Sequence, residues 1–205
     1  AEYRDEVTGN HIWRLGRYAS VVAKVMGLNG ETAESIYYAA PMHDVGKIGI
    51  PDCILLKPGA LTPGEWEIMK THTTIGGQIL QGSSLDIIRM AETISLTHHE
   101  KWDGSGYPKG LQGEEIPLSG RITAIADVFD ALTSKRPYKE VHTLDKAFEI
   151  IREGRGSHFD PQVVEAFFSA QNEILYIQAF EQDAQMSAGF KEELRAIQWE
   201  RFAAT

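Results

Sequence analysis

Residues 62–80 read TPGEWEIMKTHTTIGGQIL, and this stretch decides the fold class. Thr62 offers a hydroxyl as N-cap, Pro63 suits the first helical position, and Glu65 completes a capping box. Trp66, Met69, Gly76 and Leu80 then recur at helical spacing. The same period extends to both sides. A first helix is predicted over 8–26, with Ile12, Leu15, Ala19, Val22 and Val25 inward and Gly27 as its stop. A second covers 32–45 and ends at Gly46. A fourth covers 85–97, with Ile87, Ala91 and Ile94 on one stripe. Residues 103–117 are rich in Gly and Pro and read as a structured loop or short hairpin. A fifth helix spans 118–134, with Ile122, Ile125, Phe129 and Leu132 inward, and a sixth spans 144–153. Asp160 and Pro161 open a seventh that carries Val164, Phe167 and Phe168. From Gln171 the chain is amphipathic, with Phe190, Leu194 and Ile197 on one face. The expected fold is an all-α bundle of about seven helices over residues 1–170. A helical tail over 171–205 packs on it or on a partner.

The chain has 205 residues, 42% of them hydrophobic and 24% charged, so it can bury a core. Its net charge of −9 excludes a general coat for a nucleic-acid polymer, which needs a basic surface. A small phosphorylated ligand held by a few local cations remains compatible with that charge. A lone cysteine, Cys53, allows no intrachain disulfide and fits a reducing, cytoplasmic setting. No apolar run approaches the roughly 20 residues of a membrane helix. The sequence starts at Ala1 and enters motif-like residues at once, which predicts a domain cut from a longer protein with a regulatory domain upstream.

Five of the seven histidines stand where a helical bundle turns residues inward: His11, His43, His72, His98 and His99. Any one of them alone reads as an ordinary core histidine with a hydrogen-bond partner. The set, taken with Asp44 and Asp127, points to metal instead. Imidazole and carboxylate together suit iron, manganese, zinc or nickel, not a calcium cage. Adjacent His43 and Asp44 can offer one ligand to each of two metals, and adjacent His98 and His99 can share one. Asp127 lies among Ala124 and Ala131, where helices approach closely; its alternative is a buried cap or ion-paired acid.

His43-Asp44-Val45-Gly46-Lys47, His72, His98-His99-Glu100 and Asp127 together resemble the HD-GYP subgroup of the HD phosphohydrolases. The subgroup's further signature is present as His98-His99-Glu100-Lys101-Trp102-Asp103-Gly104-Ser105-Gly106-Tyr107-Pro108. Asp127-Val128-Phe129-Asp130-Ala131-Leu132-Thr133 then runs into Arg136-Pro137-Tyr138-Lys139. The resemblance spans roughly Thr8 to Phe168. It implies a helical HD-type core and hydrolysis of cyclic di-GMP to linear pGpG or GMP. It implies metal ligands at His11, His43, Asp44, His72, His98, His99 and Asp127, with Asp44 bridging. It also implies that Lys47, Tyr107, Arg136 and Lys139 serve the phosphates or the substrate pocket. Members with three metals carry a glutamate four residues before the first histidine of the series. Val7 stands there in this chain, and Glu6 is turned away by about 100° on a helix. Two divalent metals are therefore expected, with iron or manganese favoured and nickel or zinc compatible.

A metal pair about 3.5–4 Å apart makes a phosphodiester attackable by acidifying water and withdrawing charge from phosphate. Lys47, just past Gly46, could steady the same charge, or be a solvated lysine at a helix end. Arg136 and Lys139 bracket Pro137-Tyr138; arginine grips phosphate or a guanine edge with paired hydrogen bonds. Tyr107, held between Gly106 and Pro108, reads as a substrate contact, as a partner-docking loop for a cyclic-dinucleotide synthase domain, or as a loop closure. Glu100, Asp103, Asp130 and Thr133 are candidates for orienting the ligands. His142 and His158 read as helix-entrance and loop residues. Rival readings are a cyclic-dinucleotide sensor without turnover, a broader phosphohydrolase acting on mononucleotides or on another cyclic dinucleotide, and an interaction domain with vestigial histidines.

Overall fold

The structure, a computed structural model, describes residues 10–134 and 142–183. Ten α-helices follow one another among them: α1 (Asn10–Val25), α2 (Gly30–Ala39), α3 (Asp52–Leu55), α4 (Pro63–Lys70), α5 (His72–Leu80), α6 (Asp86–Thr97), α7 (Leu118–Thr133), α8 (Leu144–Glu153), α9 (Pro161–Ser169) and α10 (Gln171–Asp183). Short 3-10 turns occupy Ala40–Met42, Val45–Gly49 and Gly113–Glu115. No strand forms among the described residues; residues 103–117 are a loop with one bridge, Asp103 to Gln112. The chain is all-α, as its periodicity predicts.

The core gathers on α1 and α7. Leu15, Tyr18, Ala19 and Val22 face Ile122, Ile125 and Phe129, all fully buried. Phe129 is the hub. Its ring meets Tyr18 edge-on at 5.5 Å, Phe167 at 5.2 Å, and Phe148 in a stack at 5.5 Å. These contacts bring α8 and α9 onto α7. α10 packs on α1, with Ile174 and Ile177 buried, so the start of the tail lies on the domain. Phe190, Leu194 and Ile197 lie outside the described residues.

Two expected helices are divided, each for a local reason. The second stops as an α-helix at Ala39 because Pro41 has no N–H and its ring opposes the carbonyl four residues back. His43 and Asp44 therefore sit between two 3-10 turns and not at the end of one long helix. The third is broken at Thr71. There Thr71 Oγ1 donates to Ile68 O at 2.6 Å, His72 Nδ1 to Met69 O at 2.7 Å and Thr73 Oγ1 to Lys70 O at 2.9 Å. Three consecutive side chains satisfy the carbonyls that end α4, so α5 starts on a new axis. Val25, expected inward, is exposed in the last turn of α1, as are Ile87 from the α6 stripe and Trp66 from the helical series of α4.

Candidate metal centre

The turn between α2 and α3 supplies His43 and Asp44. The start of α5 supplies His72, the end of α6 supplies His98 and His99, and α7 supplies Asp127. Small residues let these elements approach. A Cβ on Gly46 would strike the His72 carbonyl and the Gly76 amide, and one on Gly76 would strike Ser95 Oγ. Gly46, Gly76 and Ser95 thus stack the three elements within a few residues of their functional side chains.

Ligand atoms of Asp44, His72, His98 and His99 all lie within 4.8 Å of one another. Asp44 is central. Its Oδ2 is 3.1 Å from His43 Nε2, and its Oδ1 is 3.2 Å from His72 Nε2 and 3.7 Å from His98 Nε2. His43 Nε2 is also 3.8 Å from Asp127 Oδ1, so Asp127 borders the cluster on the His43 side. Lys47 Nζ meets Asp44 Oδ2 at 2.9 Å and is mostly buried; it faces the cluster and is not a solvated helix-end lysine. Tyr107 stacks on His99, with centroids 4.8 Å apart and planes at 27°. His11 lies on α1, but its side chain falls outside the described portion, as do Arg136 and Lys139 entirely.

The tautomers follow from the backbone. His43 Nδ1 donates to Ala40 O at 3.0 Å, His72 Nδ1 to Met69 O, and His98 Nδ1 to Ile94 O at 3.0 Å. A carbonyl only accepts, so each Nδ1 carries the hydrogen. In a neutral ring, each Nε2 then presents a lone pair toward Asp44. Two such lone pairs, at His72 and His98, face Asp44 Oδ1, which is buried and accepts no hydrogen bond among the described residues. Acceptors pointed at one another in a buried place call for a cation between them. The donor set of imidazole and carboxylate is the chemistry of a divalent transition metal, so the residues fit such an ion.

The electrostatics divide the histidines: the neighbouring carboxylates favour a proton on His43, which a cation would have to replace, whereas His98 and His99 are held neutral. Burial pulls the His43 pKa down, but the charges of Asp44 and Asp127 outweigh it and hold His43 up at about 9. Burial pushes Asp44 toward neutrality, yet His43 and Lys47 keep its carboxyl well below the usual carboxylate range. Burial lowers His98, and burial plus the neighbouring rings of His98 and His72 lowers His99 well below the usual histidine range. Burial, with Asp44 and Asp127 nearby, raises the Tyr107 phenol, so its hydroxyl stays protonated and can donate.

Three of the residues expected to orient ligands, Glu100, Asp103 and Thr133, bond elsewhere among the described residues. Glu100 is buried and accepts from the backbone amides of Lys109 at 2.7 Å and Leu111 at 3.0 Å, so it shapes the loop that presents Tyr107. Gly106 lies against the Glu100 backbone where a Cβ has no room. Asp103 is exposed and turns back on Ser105. Thr133 bonds its own helix at Phe129 O. Asp130 is fully buried in a two-pronged pair with Arg14, at 2.5 and 3.0 Å, and also accepts from Ser134 Oγ at 3.0 Å. Arg14 escaped the sequence reading; its signal is the spacing, since it follows His11 by three residues as Asp130 follows Asp127. His142 is half-buried before α8, and His158 is half-buried and stacked on Phe159.

Fold and cluster define a helical domain built round a buried histidine–aspartate centre. The chain belongs to the HD domain family, which it matches over residues 2–163. It is 51% identical over 187 residues to a cyclic di-GMP phosphodiesterase of Thermotoga maritima, covering 91% of this chain and 51% of that protein. It is 50% identical to a cyclic di-GMP phosphodiesterase of Vibrio cholerae, covering 90% of this chain and 40% of the other. A 3'3'-cGAMP-specific phosphodiesterase of V. cholerae is 48% identical, with 87% of this chain and 34% of that protein covered. The chain thus spans about half or less of the length of these relatives. Among solved structures, a cyclic GMP-AMP-specific phosphodiesterase of V. cholerae superposes with a TM-score of 0.62 at 18% identity, over 90% of this chain and 48% of that one. An HDGYP-type protein from Bdellovibrio bacteriovorus gives 0.59 at 19% identity, over 82% and 55%. At such identities these structures speak for the fold. No described helix is long and apolar enough to cross a membrane.

Proposed function

We propose that this domain is a divalent-metal-dependent phosphodiesterase that hydrolyses cyclic di-GMP to linear pGpG, GMP or both. The observation that carries the reading is Asp44 Oδ1, buried, without a hydrogen bond among the described residues, and faced by the Nε2 atoms of His72 and His98. The relatives named as cyclic di-GMP phosphodiesterases, at about half identity, support the substrate. His11, His43, Asp44, His72, His98, His99 and Asp127 would hold two metal ions, with Asp44 between them. Iron or manganese is favoured, and nickel or zinc is compatible with the donors. When bound, such a pair supplies acidity to water and positive charge to the phosphate.

The chain's own residues do the rest. Lys47, next to Asp44, brings a cation to the charge that builds on the phosphate oxygens. The protonated Tyr107 hydroxyl donates to the substrate from beside His99. Arg136 and Lys139 grip a phosphate or guanine edge. The burial of His43, His72 and His98 keeps bulk water from the ligating atoms. Residues 1–170 carry this catalysis and 171–205 form the tail; the Gly-Tyr-Pro loop could dock a synthase domain, and a regulatory domain would belong upstream, in a cytoplasmic protein.

Metal content by mass spectrometry, with chromatography of the products under several metals, tests the proposal. Asp44→Ala should lose both metal and turnover. Arg136→Ala should keep the metal and weaken substrate use. A full complement of metal in Asp44→Ala would sink the reading, and stoichiometric metal without turnover would favour a sensor. The 48% identical relative named for 3'3'-cGAMP favours a second substrate reading, which competition between the two cyclic dinucleotides resolves.

A further inference from the structure

A row of aromatic rings leads from the cluster to solvent. His99 stacks on Tyr107, and Tyr107 meets Trp66 edge-on, with centroids 6.1 Å apart and planes at 81°. His99 and Tyr107 are half-buried, whereas Trp66 is 46% exposed. Lys70 stands one turn after Trp66 on α4, with its Nζ 5.8 Å from the Tyr107 centroid. Glu67 pairs with that ammonium at 2.8 Å, and Glu67 is itself largely exposed. The indole rests on a fixed support: α4 opens with the Thr62–Glu65 capping box, and Lys57 pairs with Glu65 at 2.6 Å. An exposed aromatic ring and a cation therefore share one capped helix beside the centre.

We propose that Trp66 is a stacking platform for one purine of the cyclic dinucleotide and that Lys70 meets the phosphate next to that base. The assignment rests on the cyclic-dinucleotide reading above. A cyclic dinucleotide has two phosphates and two bases. With one phosphate at the cluster, the other half of the molecule must project outward, and the ring row marks an outward path. Every purine has a π face, so stacking anchors the ligand without naming the base. The Lys70–Glu67 pair is an exposed one of the kind that contributes little, so a phosphate can replace its acidic partner. Trp66 would then serve cyclic di-GMP and 3'3'-cGAMP alike, leaving discrimination to other residues.

The test combines kinetics with equilibrium binding on the metal-loaded chain, using Trp66→Ala, Trp66→Phe and Lys70→Met. Trp66→Ala should raise KM for cyclic di-GMP about tenfold and weaken calorimetric binding by a similar factor, the scale of one lost base stack. Its kcat, its metal content and its hydrolysis of bis(p-nitrophenyl) phosphate, which carries no purine, should hold. Trp66→Phe should recover most of the affinity. Lys70→Met should raise KM, and more at low salt than at high. An unchanged KM in Trp66→Ala, or an equal loss on both substrates, overturns the platform; an unchanged KM in Lys70→Met removes that residue from it. If the parent chain binds cyclic di-GMP without cleaving it and Trp66→Ala binds weakly, the platform stands and the hydrolysis reading falls. A parent chain that neither binds nor cleaves overturns both.

Discussion

An imidazole binds a cation only through a nitrogen that carries no proton, so the backbone carbonyls behind His43, His72 and His98 matter as much as the rings. By taking the Nδ1 hydrogens, those carbonyls turn each Nε2 toward Asp44. The residue types of the cluster were legible in the sequence, but these orientations were not, because each depends on where a helix ends. Arg14 and Asp130 show the same limit: the sequence offers Arg14 no role and Asp130 only a candidate one, and the fold makes them the two halves of a buried pair. Asp130→Ala would leave the Arg14 guanidinium buried without its carboxylate. We expect a loss of about 3–5 kcal/mol in stability by chemical denaturation, the range for breaking a buried pair from one side. Asp130→Asn, which keeps a hydrogen-bond acceptor, should cost less.

At the scale of elements, α4 and the glycine contacts carry the site. Thr62→Ala removes the N-cap of α4 and should cost about 1 kcal/mol by thermal unfolding. Its capping partner Glu65 has a pKa lowered to about 2, through Lys57 first and Thr62 second. Glu65 therefore contributes stability that is full above its unfolded value of 4.5 and fades as pH falls toward 2. Glu65→Gln should be less stable than the parent at pH 7, and the gap should close in acid. Gly46→Ala drives a methyl into the His72 and Gly76 backbone, which no rotamer change relieves. It should fold poorly and retain little metal. Gly76→Ala meets the Ser95 hydroxyl instead, a side-chain atom, so adding Ser95→Ala should restore folding and metal content. The sequence made the ends of α1, α7 and α8 readable through their periodicity. It hid the break at Thr71, because the competing bonds come from three side chains that each also suit a helix.

Across the whole molecule, the loop that presents Tyr107 is held by residues far along the chain. Trp102 donates its amide to His158 O at 3.1 Å and Asp103 to Ser157 O at 2.9 Å, tying that loop to the segment between α8 and α9. Arg121 on α7 pairs with Asp160 at 2.5 Å while Asp160 caps α9, so the same segment is locked to the core. His158 lies in this junction, and burial, then the charge of Lys101, lowers its pKa to about 4. Between about 6.5 and 4 the unfolded chain takes up a proton that the folded chain refuses, so stability falls as pH drops through that window and levels below it. His158→Gln should flatten that part of the pH–stability curve, measured by denaturant unfolding at fixed ionic strength.

The sequence by itself determined that the chain is helical, where most helices begin and end, and which histidines and aspartates are candidates for one centre, because period, caps and residue chemistry are local properties. The resemblance already implied a bridging Asp44, but only the tertiary structure decided the distances at which His43, His72 and His98 converge on it, that Glu100 organises a loop, and that Trp66 is exposed. Those outcomes depend on how closely helices can approach one another. That is set by small residues such as Gly46 and Gly76 meeting partners distant in the chain.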